Sequence, residues 1–173
     1  MTNPEREVVV LDDVNALADE ATRRVAESMR AAVAARGRFV LALSGGSTPR
    51  ALHARLAAMG ADALPWAQTT VVFGDERCVP PDDPASNYGM ARDTLLAHVP
   101  VAEAHVLRME GEREPTDAAA RYEALLRGLA AQHAIADEAA LFDLVLLGMA
   151  AVGALLGFFT GNFFQSFRRA PLV

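Results

Sequence analysis

Short apolar runs alternate with longer segments of helical periodicity along residues 8–148. The runs are rich in β-branched and other apolar residues, and turn-forming residues separate them from the segments that follow. Such runs predict strands that are buried on both faces of a sheet. The five predicted strands are residues 8–11, 39–43, 69–73, 104–107 and 141–148.

The segments between the first three runs have the spacing of amphipathic helices. Asp12 and Asp13 are suitable N-caps for a first helix, and Gly37 is a plausible end for it because glycine readily adopts the left-handed conformation. Pro49 is expected at the first position of a second helix, which ends at Gly60.

Two further helices are predicted downstream. Ser86 is expected to cap one of them, and Pro115 begins the other. The apolar face of the last helix is expected to consist of Tyr122, Leu125, Leu126 and Leu129. Strands that alternate with helices indicate βαβ units, so we predict an α/β fold with a doubly wound, mainly parallel sheet and flanking helices.

The carboxyl ends of parallel strands meet at one edge of a sheet, where ligands bind in such folds. The strand at 39–43 is followed by Ser44, Gly45, Gly46, Ser47 and Thr48, which we name the glycine turn. Its glycines permit close approach of a ligand, and its hydroxyls and free N–H groups suit a phosphate. The turn lacks the P-loop and dinucleotide-binding patterns. We interpret it as an anion site rather than as an ordinary capped turn.

The strand at 69–73 is followed by Gly74, Asp75, Glu76 and Arg77, which we name the charged turn. Three charges directly after a buried strand are costly unless they are paired or functional. Arg77 suits bidentate binding of phosphate, and Asp75 suits a role as a base or as a partner of a sugar hydroxyl. For Glu76 we favour a local salt bridge.

Other polar residues are interpreted as structural. The segment from Ser86 to Tyr88 is expected to be a capped helix start, and Cys78 a small buried residue. The same interpretation, surface or core residues, applies to the four histidines, which are His53, His98, His105 and His133.

Composition narrows the class of function. The chain of 173 residues has a net charge of -6, and all 16 of its basic residues are arginine. This balance argues against nucleic acid as a partner. No Cys/His cluster indicates a zinc site, the single cysteine excludes an internal disulfide, and the polar N-terminus does not resemble a secretory signal. We therefore expect a cytoplasmic protein without a metal.

Charge also divides the chain. Residues 1–149 contain all 22 acidic residues, whereas residues 150–173 contain no acidic residue, two arginines and five of the eight phenylalanines. Residues 144–167 have no ionisable side chain and are long enough to span a bilayer, so a membrane anchor is one interpretation of the tail. We favour a non-homologous tail, because residues 144–148 already belong to the predicted fifth strand.

The motifs together resemble the 6-phosphogluconolactonase family. The resemblance rests on residues 43–49, 74–80, 86–88 with Arg92, Leu95 and Leu96, and 142–149, in that order along the chain. It implies hydrolysis of 6-phospho-D-glucono-1,5-lactone to 6-phosphogluconate in the oxidative pentose phosphate pathway, with no metal or organic cofactor. The wider superfamily includes glucosamine-6-phosphate deaminase, but Arg77 and the Ser-Gly-Gly-Ser sequence favour the lactonase branch.

The resemblance also implies roles for individual residues. Gly45, Gly46, Ser47 and Thr48, together with Ser44 before them, are expected to bind the phosphosugar lactone. Asp75 is implied as a supporting polar residue of the catalytic site, and Arg77 as the partner of the phosphate.

The resemblance ends after Met149. The family continues with an Asp-Gly-His loop that supplies the general base, whereas this chain continues with Ala150, Ala151 and Val152. We therefore expect residues 1–149 to be a partial lactonase-like domain that is incomplete at its C-terminus, and residues 150–173 to be a tail produced by truncation or frameshift. A general base contributes about 10²–10⁴-fold to the rate, so weak or no activity is expected.

A non-catalytic phosphosugar-binding remnant and a membrane-tethered module are the alternatives. The sequence does not indicate the oligomeric state.

Overall fold

The structure is a computed structural model that describes residues 8–135 and 141–147. Four helices and four strands alternate along these residues, joined by turns that include three short 3₁₀ segments. The elements are α1 (Val14–Arg36), β1 (Phe39–Leu43), α2 (Ser47–Ala58), β2 (Thr69–Phe73), α3 (Asn87–Thr94), β3 (Val106–Leu107), α4 (Pro115–Gln132) and β4 (Leu144–Val145). The strands form one sheet in the order β3-β2-β1-β4, and every pair is parallel. The predicted α/β fold with a parallel sheet is confirmed.

Strands β1 and β2 form the centre of the sheet, and all ten of their residues are buried. They pair in register from Phe39 opposite Thr69 to Leu43 opposite Phe73. Alternate side chains point to opposite faces of the sheet. Phe39, Leu41 and Leu43 therefore contact the core beneath α1, α2 and α3, whereas the face beneath α4 receives Val40 and Ala42.

The ends of α1 agree with the sequence pattern. The Asp13 carboxylate accepts a hydrogen bond of 2.8 Å from the Ala16 N–H, which makes Asp13 the N-cap. Gly37 adopts φ = 70° at the C-cap, a conformation that favours glycine. Local sequence therefore determines both ends of this helix.

Helix α4 covers the second face of the sheet. Tyr122, Leu126 and Leu129 are buried there, as predicted. Leu125 was expected on the same face but is 44% exposed, because its position on the helix turns it away from the sheet. The predicted apolar face is therefore wider than the face that is buried.

Residues 8–11 do not form the predicted first strand. They have no regular secondary structure, and Val8 and Val10 are 84% and 88% exposed. A β-branched run favours a strand only where a neighbouring strand accepts its backbone hydrogen bonds, and no strand of the described sheet pairs with this run.

Two other strands are shorter than predicted. Residues 103–105 form a 3₁₀ turn, so β3 contains only Val106 and Leu107. Strand β4 is anchored by the residue before it, because the buried Asp143 carboxylate accepts from the Val40 N–H at 2.7 Å and from Arg36 and Arg38. This contact joins the start of β4 to the start of β1.

The predicted domain boundary at residue 149 and the tail at 150–173 lie outside the described residues. Within the part of the chain that the structure describes, no helix is long and apolar enough to cross a membrane.

Candidate functional site

The glycine turn connects β1 to α2 at the carboxyl edge of the sheet. Ser44 is only 8% exposed, and its hydroxyl has no hydrogen-bond partner among the described residues. Helix α2 begins at Ser47, two residues earlier than predicted, so that Pro49 occupies its third position rather than its first. Gly46 is the N-cap and provides no side-chain cap, so the N–H groups of Ser47 and Thr48 face outward from the helix start. A helix start with free N–H groups is able to accept an anion.

The two glycines of this turn are required for different reasons. Gly46 adopts φ = 114°, which a residue with a side chain adopts only under strain. Gly45 has no such angle but has no room for a side chain, because a Cβ atom there would lie 1.8 Å from Oδ1 of Asn87. The turn therefore requires glycine at position 46 for its backbone conformation and at position 45 for lack of space.

The charged turn lies beside the glycine turn. The Gly74 N–H donates a hydrogen bond of 2.8 Å to the Leu43 carbonyl, which continues the pairing of β1 and β2 to the end of both strands. Asp75 is half-buried and Arg77 is exposed, and neither side chain forms an ion pair with the described residues. The topology therefore brings together the two turns that the sequence indicated, with one carboxylate and one guanidinium unpaired.

Glu76 has a different role from the predicted salt bridge. Its carboxylate accepts hydrogen bonds from the backbone N–H groups of Asn87 and Tyr88, at 2.7 and 2.9 Å, and from the Ser86 hydroxyl at 3.1 Å. It also accepts from the N–H of Arg77 at 2.7 Å. A carboxylate at the N-terminus of α3 satisfies its free N–H groups and interacts favourably with its dipole. Glu76 thus attaches the charged turn to α3.

Asn87 is a residue of this site that sequence reasoning missed. The prediction that Ser86 caps the helix is confirmed, since its hydroxyl accepts from the Gly89 N–H at 2.9 Å. Asn87, the next residue, is 4% exposed and donates a hydrogen bond of 3.1 Å from Nδ2 to the Asp75 carbonyl. Its position in the Ser-Asn-Tyr motif was the only sequence signal for it.

Tyr122 supports the last residue before the charged turn. Strand β3 ends opposite Val72, so the outward N–H and C=O of Phe73 have no strand partner. The Tyr122 hydroxyl accepts from that N–H at 2.8 Å and donates to that carbonyl at 2.9 Å. Burial raises the pKa of Tyr122 well above its usual value, with the hydrogen bond to the Phe73 backbone opposing this shift. The phenol is therefore neutral across the physiological range and available for both hydrogen bonds.

Residues 108–112, which we name the third turn, follow β3 at the same edge of the sheet. A Cβ atom at Gly111 would lie 2.1 Å from the Arg77 carbonyl oxygen, so the backbone of the charged turn rests directly on this glycine. The Arg108 guanidinium lies over the Tyr88 ring, 5.6 Å from its centroid, and pairs with Glu112 at 2.6 Å. This turn also escaped sequence reasoning, because its residues carry no recognisable anion motif.

A cavity of about 380 Å³ lies on the other side of the glycine turn. It is open to solvent on one side and is lined by residues 8–11, α1, α2 and residues at the ends of β1 and β4, and its lining is mainly apolar. Among the predicted site residues only Ser44 contributes to it. We therefore place the candidate site at the polar turns rather than in the cavity.

The histidines lie away from the glycine and charged turns. His53 is buried between α2 and α3, with Nδ1 3.2 Å from the Thr94 hydroxyl. Burial, assisted by the nearby charge of Arg50, lowers the pKa of His53 to about 4. His98 is exposed, whereas His105 and His133 are half-buried. The structural interpretation of all four therefore agrees with their positions.

Two further expectations concern Cys78 and metals. Cys78 is exposed, not buried as predicted, because the chain leaves the sheet edge after Arg77. The described residues contain no cluster of three or more histidine, cysteine or carboxylate side chains that suits a metal ion.

The chain is similar to known proteins of one family. The family described as glucosamine-6-phosphate isomerases/6-phosphogluconolactonase matches residues 12–154. A 6-phosphogluconolactonase of Nostoc sp. is 37% identical over 143 residues, which are 82% of this chain and 58% of that protein. A probable chloroplastic 6-phosphogluconolactonase of Oryza sativa is 34% identical over 159 residues, or 90% of this chain and 49% of the relative. The chain thus spans about half the length of the curated relatives it matches.

Solved structures show the same fold. The 6-phosphogluconolactonase from Trypanosoma cruzi superposes with a TM-score of 0.69 at 27% identity, covering 84% of this chain and 59% of that one. The enzyme from Trypanosoma brucei gives a TM-score of 0.66 at 26% identity, covering 88% and 63% of the two chains.

Proposed function

The chain belongs to the glucosamine-6-phosphate isomerase/6-phosphogluconolactonase family, and on that premise we propose that it acts as a 6-phosphogluconolactonase. Its substrate is then 6-phospho-D-glucono-1,5-lactone, and its product is 6-phosphogluconate. The observation that carries the proposal is the pair of turns at one sheet edge: the glycine turn leads into an uncapped helix start, and the charged turn contains Arg77, which forms no ion pair with the described residues. The names of the relatives support the same reaction.

Arg77 and the glycine turn would bind the phosphate group. A guanidinium donates two parallel hydrogen bonds to a phosphate, and the N–H groups of Ser47 and Thr48 add donors at the positive end of α2. The buried hydroxyl of Ser44 lies at the same strand end. Gly45 and Gly46 would allow the ligand to approach the backbone closely.

Asp75 would orient a hydroxyl of the sugar next to the phosphate. In the reaction, water adds to the C1 carbonyl and the bond between C1 and the ring oxygen breaks. The ring oxygen takes up a proton to become the C5 hydroxyl, and C1 becomes a carboxylate with release of one proton. No metal or organic cofactor is required for this hydrolysis.

The residues after Met149 affect the expected rate of lactone hydrolysis. The chain lacks the Asp-Gly-His sequence whose histidine would activate the water, and no histidine of the glycine or charged turn replaces it. We expect turnover to be about 10²–10⁴-fold below that of a relative that contains this histidine, with binding of the phosphosugar retained. A single cysteine without a disulfide partner supports action in the cytoplasm, a reducing compartment.

Binding of 6-phosphogluconate, measured by isothermal titration calorimetry, tests the proposal. Arg77→Ala should weaken binding by about 10–100-fold, since hydrogen bonds between charged groups are lost. Arg77→Lys should restore part of the affinity, because lysine keeps the charge but not the bidentate geometry. Arg121→Ala is the matched control, an exposed arginine on α4 that pairs with Asp117. Equal affinities for Arg77→Ala and Arg121→Ala would show that Arg77 does not bind the phosphate. Lactone hydrolysis by the same preparations measures the residual turnover.

A further inference from the structure

Asn87 lies between the two turns of the candidate site. It is the first residue of α3 and is almost completely buried. Its backbone N–H donates to Oε1 of Glu76 at 2.7 Å, so a residue of the charged turn fixes the position of the Asn87 backbone. The fixed backbone in turn restricts the position of the carboxamide.

The two ends of this carboxamide contact different turns. Nδ2 donates a hydrogen bond of 3.1 Å to the Asp75 carbonyl in the charged turn. Oδ1 and Cγ occupy the space beside Gly45 in the glycine turn, where an added Cβ would lie 1.8 and 2.4 Å from them. A single side chain thus binds one turn and packs against the other.

We propose that Asn87 is a positioning residue that keeps the glycine turn and the charged turn at a constant separation, so that both reach one phosphosugar. The pairing of β1 and β2 ends at the hydrogen bond from Gly74 to Leu43, and beyond it the two turns leave the sheet. Asn87 lies just past that point. A ligand that contacts both turns requires their spacing to be set before it binds, because displacements of about 1 Å are sufficient to weaken such contacts. This inference rests on the proposed function for its ligand but not for its packing.

Substitutions at Gly45 and Asn87 test the packing without any ligand. Gly45→Ala should lower the midpoint of thermal unfolding by roughly 5 °C, because its methyl group overlaps the Asn87 carboxamide. Asn87→Ala in the same chain should restore most of that loss, since the new methyl group then enters vacated space. Asn87→Asp should not restore it, because aspartate has the shape of asparagine and still fills the space beside residue 45.

Binding of 6-phosphogluconate tests the positioning. Asn87→Ala and Asn87→Asp should each weaken affinity by about tenfold, since both remove the hydrogen bond to the Asp75 carbonyl. Leu126→Ala, at a buried residue of α4 that belongs to neither turn, should lower thermal stability without weakening affinity. If Asn87 acted only through stability, Leu126→Ala and Asn87→Ala would weaken affinity alike.

Gly128→Ala is the control variant, because Gly128 is exposed on α4 and a Cβ there meets no atom within 4 Å. Its effects on affinity and on the midpoint of thermal unfolding should both be smaller than those of the substitutions at Gly45 and Asn87. The proposal is overturned if Asn87→Ala fails to rescue Gly45→Ala, or if Asn87→Asp rescues it equally well. It is also overturned if Leu126→Ala weakens affinity as much as Asn87→Ala does. If the unsubstituted chain fails to bind 6-phosphogluconate, the proposed function is contradicted. The midpoints of thermal unfolding still show in that case whether Asn87 packs against both turns.

Discussion

Replacement of Tyr122 by phenylalanine should destabilise the fold more than loss of one hydroxyl group suggests. The phenol is the hydrogen-bond partner of both the N–H and the carbonyl of Phe73, at 2.8 and 2.9 Å. Phe73 is buried, and β3 ends too early to pair with it. Tyr122→Phe therefore leaves two backbone groups without these partners in a position that water does not reach.

The expected cost follows from these two groups. A buried donor or acceptor that loses its partner costs about 1–3 kcal/mol. Phenylalanine avoids the desolvation of the hydroxyl, which offsets part of this cost. We therefore expect the free energy of unfolding to fall by about 3 kcal/mol, a large share of the roughly 5–15 kcal/mol typical of a folded domain.

Urea unfolding at pH 7, followed by circular dichroism, measures this loss. The matched control is Tyr88→Phe at the other tyrosine of the sequence, whose hydroxyl has no hydrogen bond to the described residues. It should change stability by less than about 0.5 kcal/mol. Equal losses in the two variants would refute the reasoning.

The pH dependence provides an independent check on Tyr122. Its pKa is raised in the folded chain relative to about 10 in the unfolded chain. The folded state therefore holds the proton longer, so this contribution to stability is complete below pH 10 and is lost as the pH rises above it. Tyr122→Phe should remove this part of the alkaline loss. An unchanged alkaline slope would contradict the assignment.

Two other predictions concern His53 and Glu76. Burial lowers the pKa of His53 to about 4, so the unfolded chain takes up the proton first, near pH 6.5. Stability should fall by about 3 kcal/mol as the pH decreases from 6.5 to 4, and a His53→Gln variant should lack that part of the slope in urea titrations. Glu76→Gln should lower the free energy of unfolding by about 2 kcal/mol, because the amide nitrogen replaces one of the two oxygens and sets a donor against the N–H of either Asn87 or Tyr88. A loss below 0.5 kcal/mol in the same urea titration would contradict that role.

The two central strands were predictable because their apolar sequence pattern matches their buried position in the middle of the sheet. Strands β1 and β2 are apolar at every position, and only the middle of a parallel sheet buries both faces of a strand. The residues 8–11 have a similar pattern but no pairing strand in the described sheet. Strand propensity describes how side chains fit a pleated surface, so it does not reveal whether a neighbour exists.

The positions of the two candidate turns were predictable, but their internal contacts were not. Parallel topology alone brings the glycine turn and the charged turn to one edge of the sheet. The roles of Glu76, Asn87 and Gly111 depend on contacts between segments that are at least ten residues apart. No periodicity records such contacts, so the sequence supported a salt bridge for Glu76 and only a helix start for Asn87.

The exposed position of Cys78 makes the chain a convenient optical sensor. Cys78 is the only cysteine of the sequence and follows Arg77 directly, so a maleimide fluorophore attaches at one point beside the charged turn. No competing thiol has to be removed first, and the sequence contains no lysine to react with the reagent. Emission from a polarity-sensitive dye at this point would report occupancy of the proposed phosphate position, even under conditions in which no lactone is turned over.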